Sequence, residues 1–258
     1  MLDHHYEDLD VLVFSSHKTT TQTLVATLRA AGYKSFHVHH LVDHRVVLGD
    51  PLYDVSVDRF REMLREKNQL KIVSVFRDPF PRSMSSFFQT YHDDKIREGE
   101  PSVIMSTPLE ELLEKYMIHM REGTLPTFRE SLFELSEILE DTDLLSRLIP
   151  HKNKDDFEYF TYSSPRYPHV ELIVLYFDSV IRLSSSDPLL HALGLVVDVE
   201  TSHETTIVPS NVSDKKAYAT VYRRFREALV PREQEIREIL KTVWYNKDQV
   251  LLDFFRNS

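Results

Sequence analysis

The stretch LDVLVFSSHKTTTQTLVATLRAAG, residues 9–32, decides the fold class. It opens with a nearly unbroken apolar run over residues 9–14, which predicts a strand covered on both faces. A polar segment follows, and apolar residues then recur at helical spacing as far as Gly32, which stands where helices commonly end. The stretch therefore predicts a buried strand, a polar loop and a helix.

The alternation of strand and helix continues along the next part of the chain. Strands are predicted over residues 34–41 and Leu70–Phe76, with a helix over residues 57–67 between them and another helix that begins at Pro79. Strands that alternate with helices form a parallel sheet with right-handed crossovers. We therefore predict an α/β fold with a central, mainly parallel sheet flanked by helices.

The rest of the chain is predicted to be mainly helical. Residues 107–149 carry two apolar stripes at helical spacing, which we interpret as the core-facing sides of a helical insertion in the middle of the fold. Strands are predicted over residues 157–162 and 170–177, and helices over residues 188–193 (closed by Gly194), 213–229, 232–240 and 248–255. No linker-like composition separates these parts, so we predict one domain over residues 1–258.

The composition excludes several classes of protein. With 41% hydrophobic and 28% charged residues among 258, the chain is neither disordered nor fibrous. It has no cysteine, which excludes disulfides, thiolate zinc sites and cysteine nucleophiles. No apolar run approaches the ~18 residues of a membrane helix, and no signal peptide is recognised, so we expect a cytoplasmic protein without a membrane span. The net charge of −10 argues against nucleic acid as the main partner.

The polar loop after the first strand is a candidate anion site. In an open parallel sheet, ligands bind beyond the carboxyl ends of the strands, where a helix N-terminus offers free N–H groups. Lys18 adds a charge there, and Thr19, Thr20, Thr21 and Thr23 add hydroxyls. The glycines of a Walker A loop are absent. The alternative interpretation is a polar turn with an N-capping threonine.

A second candidate anion site follows the third strand, in FRDPFPRSMSSFFQTY, residues 76–91. Arg77 is predicted at the carboxyl end of this strand, on the same edge of the sheet as Lys18, where a guanidinium binds phosphate oxygens well. Ser85 follows within the next helix. The alternative is that Arg77 pairs with a carboxylate while Asp78 caps the helix.

Both segments resemble the nucleotide-binding signatures of the sulfotransferases that use 3′-phosphoadenosine 5′-phosphosulfate (PAPS). Residues 17–24 read HKTTTQTL where the family reads P-K-T-G-T-T-x-L, so Thr20 replaces a glycine and Gln22 a threonine. The family's R-D-P-x-x-R-x-x-S signature is matched in full by Arg77, Asp78, Pro79, Arg82 and Ser85. Further segments resemble a bacterial branch described as capsular-polysaccharide-type sulfotransferases: residues 36–41, residues 244–255, and a stretch with Asn211, Lys216, Tyr218, Tyr222 and Phe225.

The resemblance implies a P-loop-type sulfotransferase domain that transfers the sulfuryl group of PAPS, without a required metal, to a hydroxyl of a carbohydrate, lipid or small molecule, leaving 3′-phosphoadenosine 5′-phosphate (PAP). It implies a loop of His17, Lys18, Thr19, Thr20, Thr21, Gln22 and Thr23 around the 5′-phosphosulfate. It places Arg77 and Ser85 on the 3′-phosphate. Residues 211–216 would close over the nucleotide, with Asn211 and either Lys215 or Lys216 facing it. A β-branched residue at position 20 predicts a loop that is strained or altered.

The histidines of SFHVHHLVDH, residues 35–44, are candidates for the catalytic base. An acceptor hydroxyl needs a base poised near neutral pH, and histidine meets that need. The resemblance implies a base at the end of this strand, which we assign to His39, with His37 on the same face and His40 as the fallback. A metal site of His37, His39 and either Asp43 or His44 is a weaker alternative, and solvated or core histidines are another.

The sequence is also compatible with two other functions. One is an ATP-using, P-loop kinase-like transferase, which the missing glycines disfavour. The other is a non-catalytic nucleotide- or glycan-binding module on the same fold, which the changes at Thr20 and Gln22 favour. For an enzyme, the acidic composition favours a neutral sugar, lipid or small alcohol as acceptor. The sequence does not predict the oligomeric state.

Overall fold

The computed structural model describes residues 9–16, 19–42, 54–96, 102–122, 131–152, 157–183, 185–195 and 217–243. The chain divides into two compact units. The first combines Met1–Arg77 with Arg129–Ser210, and the second combines Asp78–Phe128 with Asn211–Ser258. Each unit has its own cluster of buried apolar side chains.

The first unit is built on a six-stranded sheet. Its strands in chain order are β1 (Val11–Phe14), β2 (Ser35–Val38), β5 (Leu70–Phe76), β6 (Ile149–Lys152), β7 (Glu158–Ser163) and β8 (Val170–Tyr176), and a separate parallel pair is formed by β3 (His40–Val42) and β4 (Asp54–Ser56). The order across the sheet is β2-β1-β5-β8-β7-β6. The strands β2, β1, β5 and β8 pair in parallel. Strand β7 pairs antiparallel with β8, and β6 pairs antiparallel with β7. The predicted α/β fold with a mainly parallel central sheet is confirmed.

Helices of the first unit connect and accompany these strands. They are α1 (Thr21–Ala30), α2 (Val57–Glu66), α6 (Ser131–Ile138), α7 (Phe177–Ile181) and α8 (Asp187–Ala192), with a short 3-10 helix over Leu144–Arg147. The described part of the second unit is helical: α3 (Pro79–Ile96), α4 (Ser102–Ser106), α5 (Leu109–Glu122), α9 (Ala219–Leu229) and α10 (Glu233–Val243), with a 3-10 turn over Val230–Arg232. None of the helices in the described ranges has the length and apolar character of a membrane span.

The continuous apolar runs become central strands, as predicted. In β5 every residue except Lys71 is buried, and β1 is buried along its whole length. The predicted helical stripes also face their cores, since Leu112, Tyr116 and Met117 of α5 are buried. In α6, the members Leu132, Leu135 and Ile138 of the other stripe are buried. Leu109 and Leu113 of α5 are partly buried against the same cluster. The 3.6-residue period thus keeps one side of each helix turned inward.

Two glycines end helices in the way the sequence predicts. Gly32 follows α1 with φ of 87°. Its N–H bonds to the Arg29 carbonyl and the N–H of Tyr33 to the Leu28 carbonyl, each at 3.0 Å. This pair of bonds is the Schellman arrangement, which requires a left-handed residue and therefore favours glycine. Gly194 closes α8 with the same pattern and φ of 58°.

Some predicted boundaries were wrong. The strand predicted over residues 34–41 is two strands, since β2 ends at Val38 and β3 begins at His40. The chain leaves β1 there and pairs with β4 instead. Residues 107–149 are not helical throughout, because they include a 3-10 helix and the start of β6. The helix predicted over residues 248–255 lies outside the described residues.

Candidate functional site: the carboxyl edge of β1 and β5

The two predicted anion segments begin at the same edge of the sheet. Strands β1 and β5 are adjacent and parallel, with Val13 opposite Val73, so both end at one carboxyl edge. Ser15 and Ser16 follow β1 at this edge, and Arg77 follows β5. Lys18 and His17 lie outside the described residues, between Ser16 and Thr19 in the chain. The fold therefore places the starts of both segments on one edge, as the parallel pattern predicted.

Ser15 fixes the point at which the chain leaves the sheet. Its N–H bonds to the Val38 carbonyl at 3.1 Å and so continues the pairing with β2. Towards β5 its side chain replaces the backbone, because its Oγ donates to the Val75 carbonyl and accepts from the Val75 N–H, both at 3.0 Å. Since one hydroxyl satisfies both groups, the backbone can turn away without leaving a buried polar group unpaired.

The start of α1 keeps the backbone shape that glycine would favour. Thr20 precedes the helix with φ of 63° and ψ of 22°, a left-handed conformation that strains a β-branched residue. Thr19 is completely buried, and its hydroxyl donates to the Ser16 carbonyl at 2.6 Å. Thr21 and Thr23 are buried, while Gln22 is exposed. The sequence allowed an altered or a strained loop, and the structure has the strained one.

His37 and His39 lie side by side on the same face, with ring centroids 5.0 Å apart and both side chains buried. Burial, the charge of His39 and that of Arg29 lower the pKa of His37 to about 4. His39 follows β2, and its Nδ1 lies 2.9 Å from the Ser15 carbonyl. A carbonyl only accepts hydrogen bonds, so Nδ1 carries the proton and Nε2 carries the lone pair.

Arg77 is half-buried at the end of β5. Its guanidinium carbon lies 4.2 Å from the ring centroid of Phe177, which follows the neighbouring strand β8. Stacking on an aromatic face restricts the position of a guanidinium. The pairing of Arg77 with a carboxylate, the alternative considered for the sequence, stays a prediction.

Ser85 and Asp78 belong to the second unit. Ser85 is buried on α3, with its Oγ 3.1 Å from the Tyr222 hydroxyl of α9. That Ser85 shares a phosphate with Arg77 stays a prediction. Asp78 caps α3, as considered for the sequence, by accepting the Phe80 N–H at 2.9 Å. It also binds the guanidinium of Arg237 in bidentate fashion, at 3.0 and 2.7 Å.

Sequence reasoning missed several of these contacts. Arg237 stands 159 positions from Asp78 and is one of several charged residues of α10, so no local pattern marks it. Asn211, Lys215 and Lys216 of the predicted closing loop lie outside the described residues, as do Asp43 and His44. Within the described ranges, no group of three metal-ligating side chains comes together. Of His40, only the backbone position at the start of β3 is described.

Comparison with known proteins gives one structural likeness and no sequence match. The sequence matches no protein-family model and no curated protein. Among solved structures, the mouse sulfotransferase SULT7A1 complexed with PAP is similar with a TM-score of 0.45 and 12% sequence identity. The alignment covers 97% of this chain and 90% of the mouse chain.

Proposed function

We propose that the protein is a sulfotransferase that transfers the sulfuryl group of PAPS to a hydroxyl of a carbohydrate, lipid or small-molecule acceptor. The observation that carries the proposal is the shared carboxyl edge of β1 and β5, where the two signature-like segments begin. Proteins with open parallel sheets bind nucleotides at such edges. Two separate segments, each suited to an anion, are less expected at one edge by chance than either segment alone.

The donor would bind against the N-terminus of α1. The backbone N–H groups at the start of a helix and the helix dipole favour an anion at that position. Lys18 would add a full positive charge, and Thr21 and Thr23 would add hydroxyls. Because the Thr19 hydroxyl already donates to the Ser16 carbonyl, we expect this side chain to shape the loop and not to bind the donor.

On this proposal Arg77 binds the 3′-phosphate. The Phe177 ring supports its guanidinium at the end of β5, so less side-chain entropy is lost when a phosphate is bound. Ser85, Asn211 and one of Lys215 or Lys216 complete the nucleotide site in this scheme.

His39 is the better candidate for the base of the two buried histidines. The Ser15 carbonyl accepts from Nδ1, which sets the tautomer in which Nε2 is the basic ring nitrogen that would take the proton of the acceptor hydroxyl. His37, with its pKa lowered to about 4, is neutral at pH 7 but a weak base. A base with a pKa far below the working pH transfers protons inefficiently. We therefore assign His37 a supporting position beside His39.

In the proposed step, the acceptor oxygen attacks the sulfur in line and forms the new O–S bond. The bond between sulfur and the 5′-phosphate oxygen breaks, and PAP leaves with that electron pair. His39 takes up the acceptor proton. Lys18 and the N-terminus of α1 neutralise the charge that grows on the departing phosphate. With a net charge of −10 on the chain, we expect a neutral acceptor.

The test compares nucleotide binding with turnover. Isothermal titration of the wild type with PAP and with ATP–Mg²⁺ separates the proposal from a kinase-like enzyme, which would prefer ATP–Mg²⁺. Lys18→Ala is expected to weaken PAP binding by roughly tenfold or more, since a charged hydrogen bond is lost, and to abolish sulfuryl transfer from radiolabelled PAPS. Lys34→Ala is the control, because Lys34 is exposed at the amino end of β2.

His39→Ala should retain PAP binding and lose turnover. A loss of PAP binding in this variant would make His39 structural. Normal transfer by Lys18→Ala would refute the proposed donor site, and a wild type that binds PAP without transferring to a broad panel of acceptors would favour the non-catalytic module.

A further inference from the structure

We propose that a connected set of buried hydroxyls holds the described residues between β1 and α1, Ser15, Ser16 and Thr19, in place for anion binding, and that Ser74 and Ser131 are positioning residues for them. We call this set the hydroxyl brace; its members are Ser15, Ser16, Thr19, Ser74 and Ser131. The inference rests on the proposed function for the identity of the loop's ligand, while the brace itself is a property of the fold.

One end of the hydroxyl brace joins the loop to α6. The Ser131 N–H at the start of α6 donates to the Ser16 Oγ at 3.0 Å, and the Ser16 Oγ donates to the Ser131 Oγ at 3.5 Å. The Ser131 Oγ lies 2.9 Å from the Ser74 Oγ on β5. Ser16, Ser74 and Ser131 are each at most 1% exposed. The loop is therefore tied through two serines to a helix that follows it by more than a hundred positions.

The other end of the hydroxyl brace joins the loop to β5 and to itself. The Ser15 Oγ bonds both to the Val75 N–H and to the Val75 carbonyl. It also lies 2.6 Å from the Thr19 Oγ1, which donates to the Ser16 carbonyl. Side-chain bonds thus fix Ser16 and Thr19, the described residues that precede and follow residues 17 and 18 in the chain.

The strain at Thr20 explains why such fixing is needed. A glycine adopts the φ of 63° found here at no steric cost, whereas a threonine does so only when its surroundings over-determine the conformation. No glycine lies between residue 1 and residue 31 of this chain. Buried hydrogen bonds are rigid, and leaving their groups unpaired costs free energy. They can therefore hold Thr20 in a conformation that a glycine would adopt without strain.

The test removes hydroxyls that lie outside the loop. Ser131→Ala keeps the N–H bond to Ser16 but removes the hydroxyl contacts with Ser16 and Ser74, and Ser74→Ala removes the hydroxyl contact with Ser131. Each variant is expected to weaken PAP binding by roughly fivefold or more, the effect of about one buried hydrogen bond. Ser164→Ala is the matched control, because the Ser164 hydroxyl is also buried in the first unit, where it accepts the Tyr167 N–H in the turn before β8. It should lower the urea midpoint to a similar extent and leave PAP affinity unchanged.

A second readout separates positioning from general destabilisation. In a Thr20→Gly background the strain is absent, so Ser131→Ala should weaken PAP binding by less than about twofold. Contacts that act independently would instead show the same loss in both backgrounds. Equal losses in the two backgrounds, unchanged affinity in Ser131→Ala and Ser74→Ala, or an equal loss in Ser164→Ala would each overturn the inference.

Hydrogen exchange makes the outcome independent of the proposed function. Without nucleotide, the amides of residues 19–23 should exchange faster in Ser131→Ala and Ser74→Ala than in Ser164→Ala. If the wild type binds no PAP, the proposed function fails and this exchange alone decides: faster exchange supports the hydroxyl brace, and unchanged exchange refutes it. If the wild type binds PAP and the serine variants bind it equally well, the inference fails and the proposed function stands.

Discussion

Stability should fall in mildly acid solution because of one buried histidine. His37 is 8% exposed, and burial together with the charges of His39 and Arg29 lowers its pKa from 6.5 to about 4. As the pH falls below 6.5, the unfolded chain takes up a proton that the folded protein resists, so the free energy of unfolding decreases until the pH reaches about 4. Each pH unit below 6.5 in that window lowers the free energy of unfolding by about 1.4 kcal/mol. The total decrease at pH 5 is therefore about 2 kcal/mol.

The assay is urea unfolding at about pH 7.5 and pH 5, where most carboxylates are still ionised. His37→Gln cannot take up a proton and should lose about 2 kcal/mol less than the wild type between the two conditions. His191→Gln, at an exposed position on α8, is the control for the loss of a histidine. The reasoning is refuted if wild type and His37→Gln lose the same stability over this range.

Three other contacts give predictions for stability, each measured by urea unfolding at neutral pH. Asp78→Ala removes a helix cap and a bidentate partner of Arg237, and should cost about 2–4 kcal/mol; a cost below about 1 kcal/mol would contradict the assigned contacts. Thr20→Gly relieves backbone strain in the folded protein but also raises the conformational entropy of the unfolded chain. Because the first effect is the larger, the variant should be more stable than the wild type by up to about 1 kcal/mol. A clear destabilisation would argue against the left-handed conformation of Thr20. Tyr162→Phe removes a hydroxyl that donates to Asp141 at 2.7 Å. Burial is the main cause that raises the pKa of this hydroxyl to about 12. We expect the free energy of unfolding to fall by about 1–2 kcal/mol, and no decrease would mean that water replaces the bond.

The central elements of the fold were predictable because their sequences are locally consistent. Leu70–Phe76 is an apolar run of strand length and becomes β5 with those bounds. Pro79 and Gly32 mark a helix start and a helix end through their own backbone preferences. Such signals are local, so a single sequence carries them.

Short edge elements were not predictable. Strand β6 reads IPHK and contains a proline, which discourages a strand prediction, yet it pairs with β7 at the edge of the sheet. The strands β3 and β4 have three residues each, too few for a period to emerge. Here tertiary pairing decides the structure over local propensity.

Some features of the candidate site were likewise predictable from the sequence, and others were not. The segments that hold Lys18 and Arg77 were found because they follow predicted strands. The bond between His39 and the Ser15 carbonyl, which fixes a tautomer, depends on two strands lying side by side. The partners Ser74 and Ser131 are small polar residues with no spacing relation to the loop, so only the folded chain reveals them.

The pairing of β5 with β8 has a consequence for how the protein is made. These neighbours at the centre of the sheet hold residues 100 positions apart, such as Lys71 and Glu171. While a ribosome is still synthesising the intervening chain, one edge of β5 has backbone N–H and C=O groups with no neighbouring strand to pair with. Such edges recruit other chains, and distant pairings form slowly. Nascent copies should therefore depend on chaperones until β8 has emerged, and yield on expression should respond to translation speed across that interval.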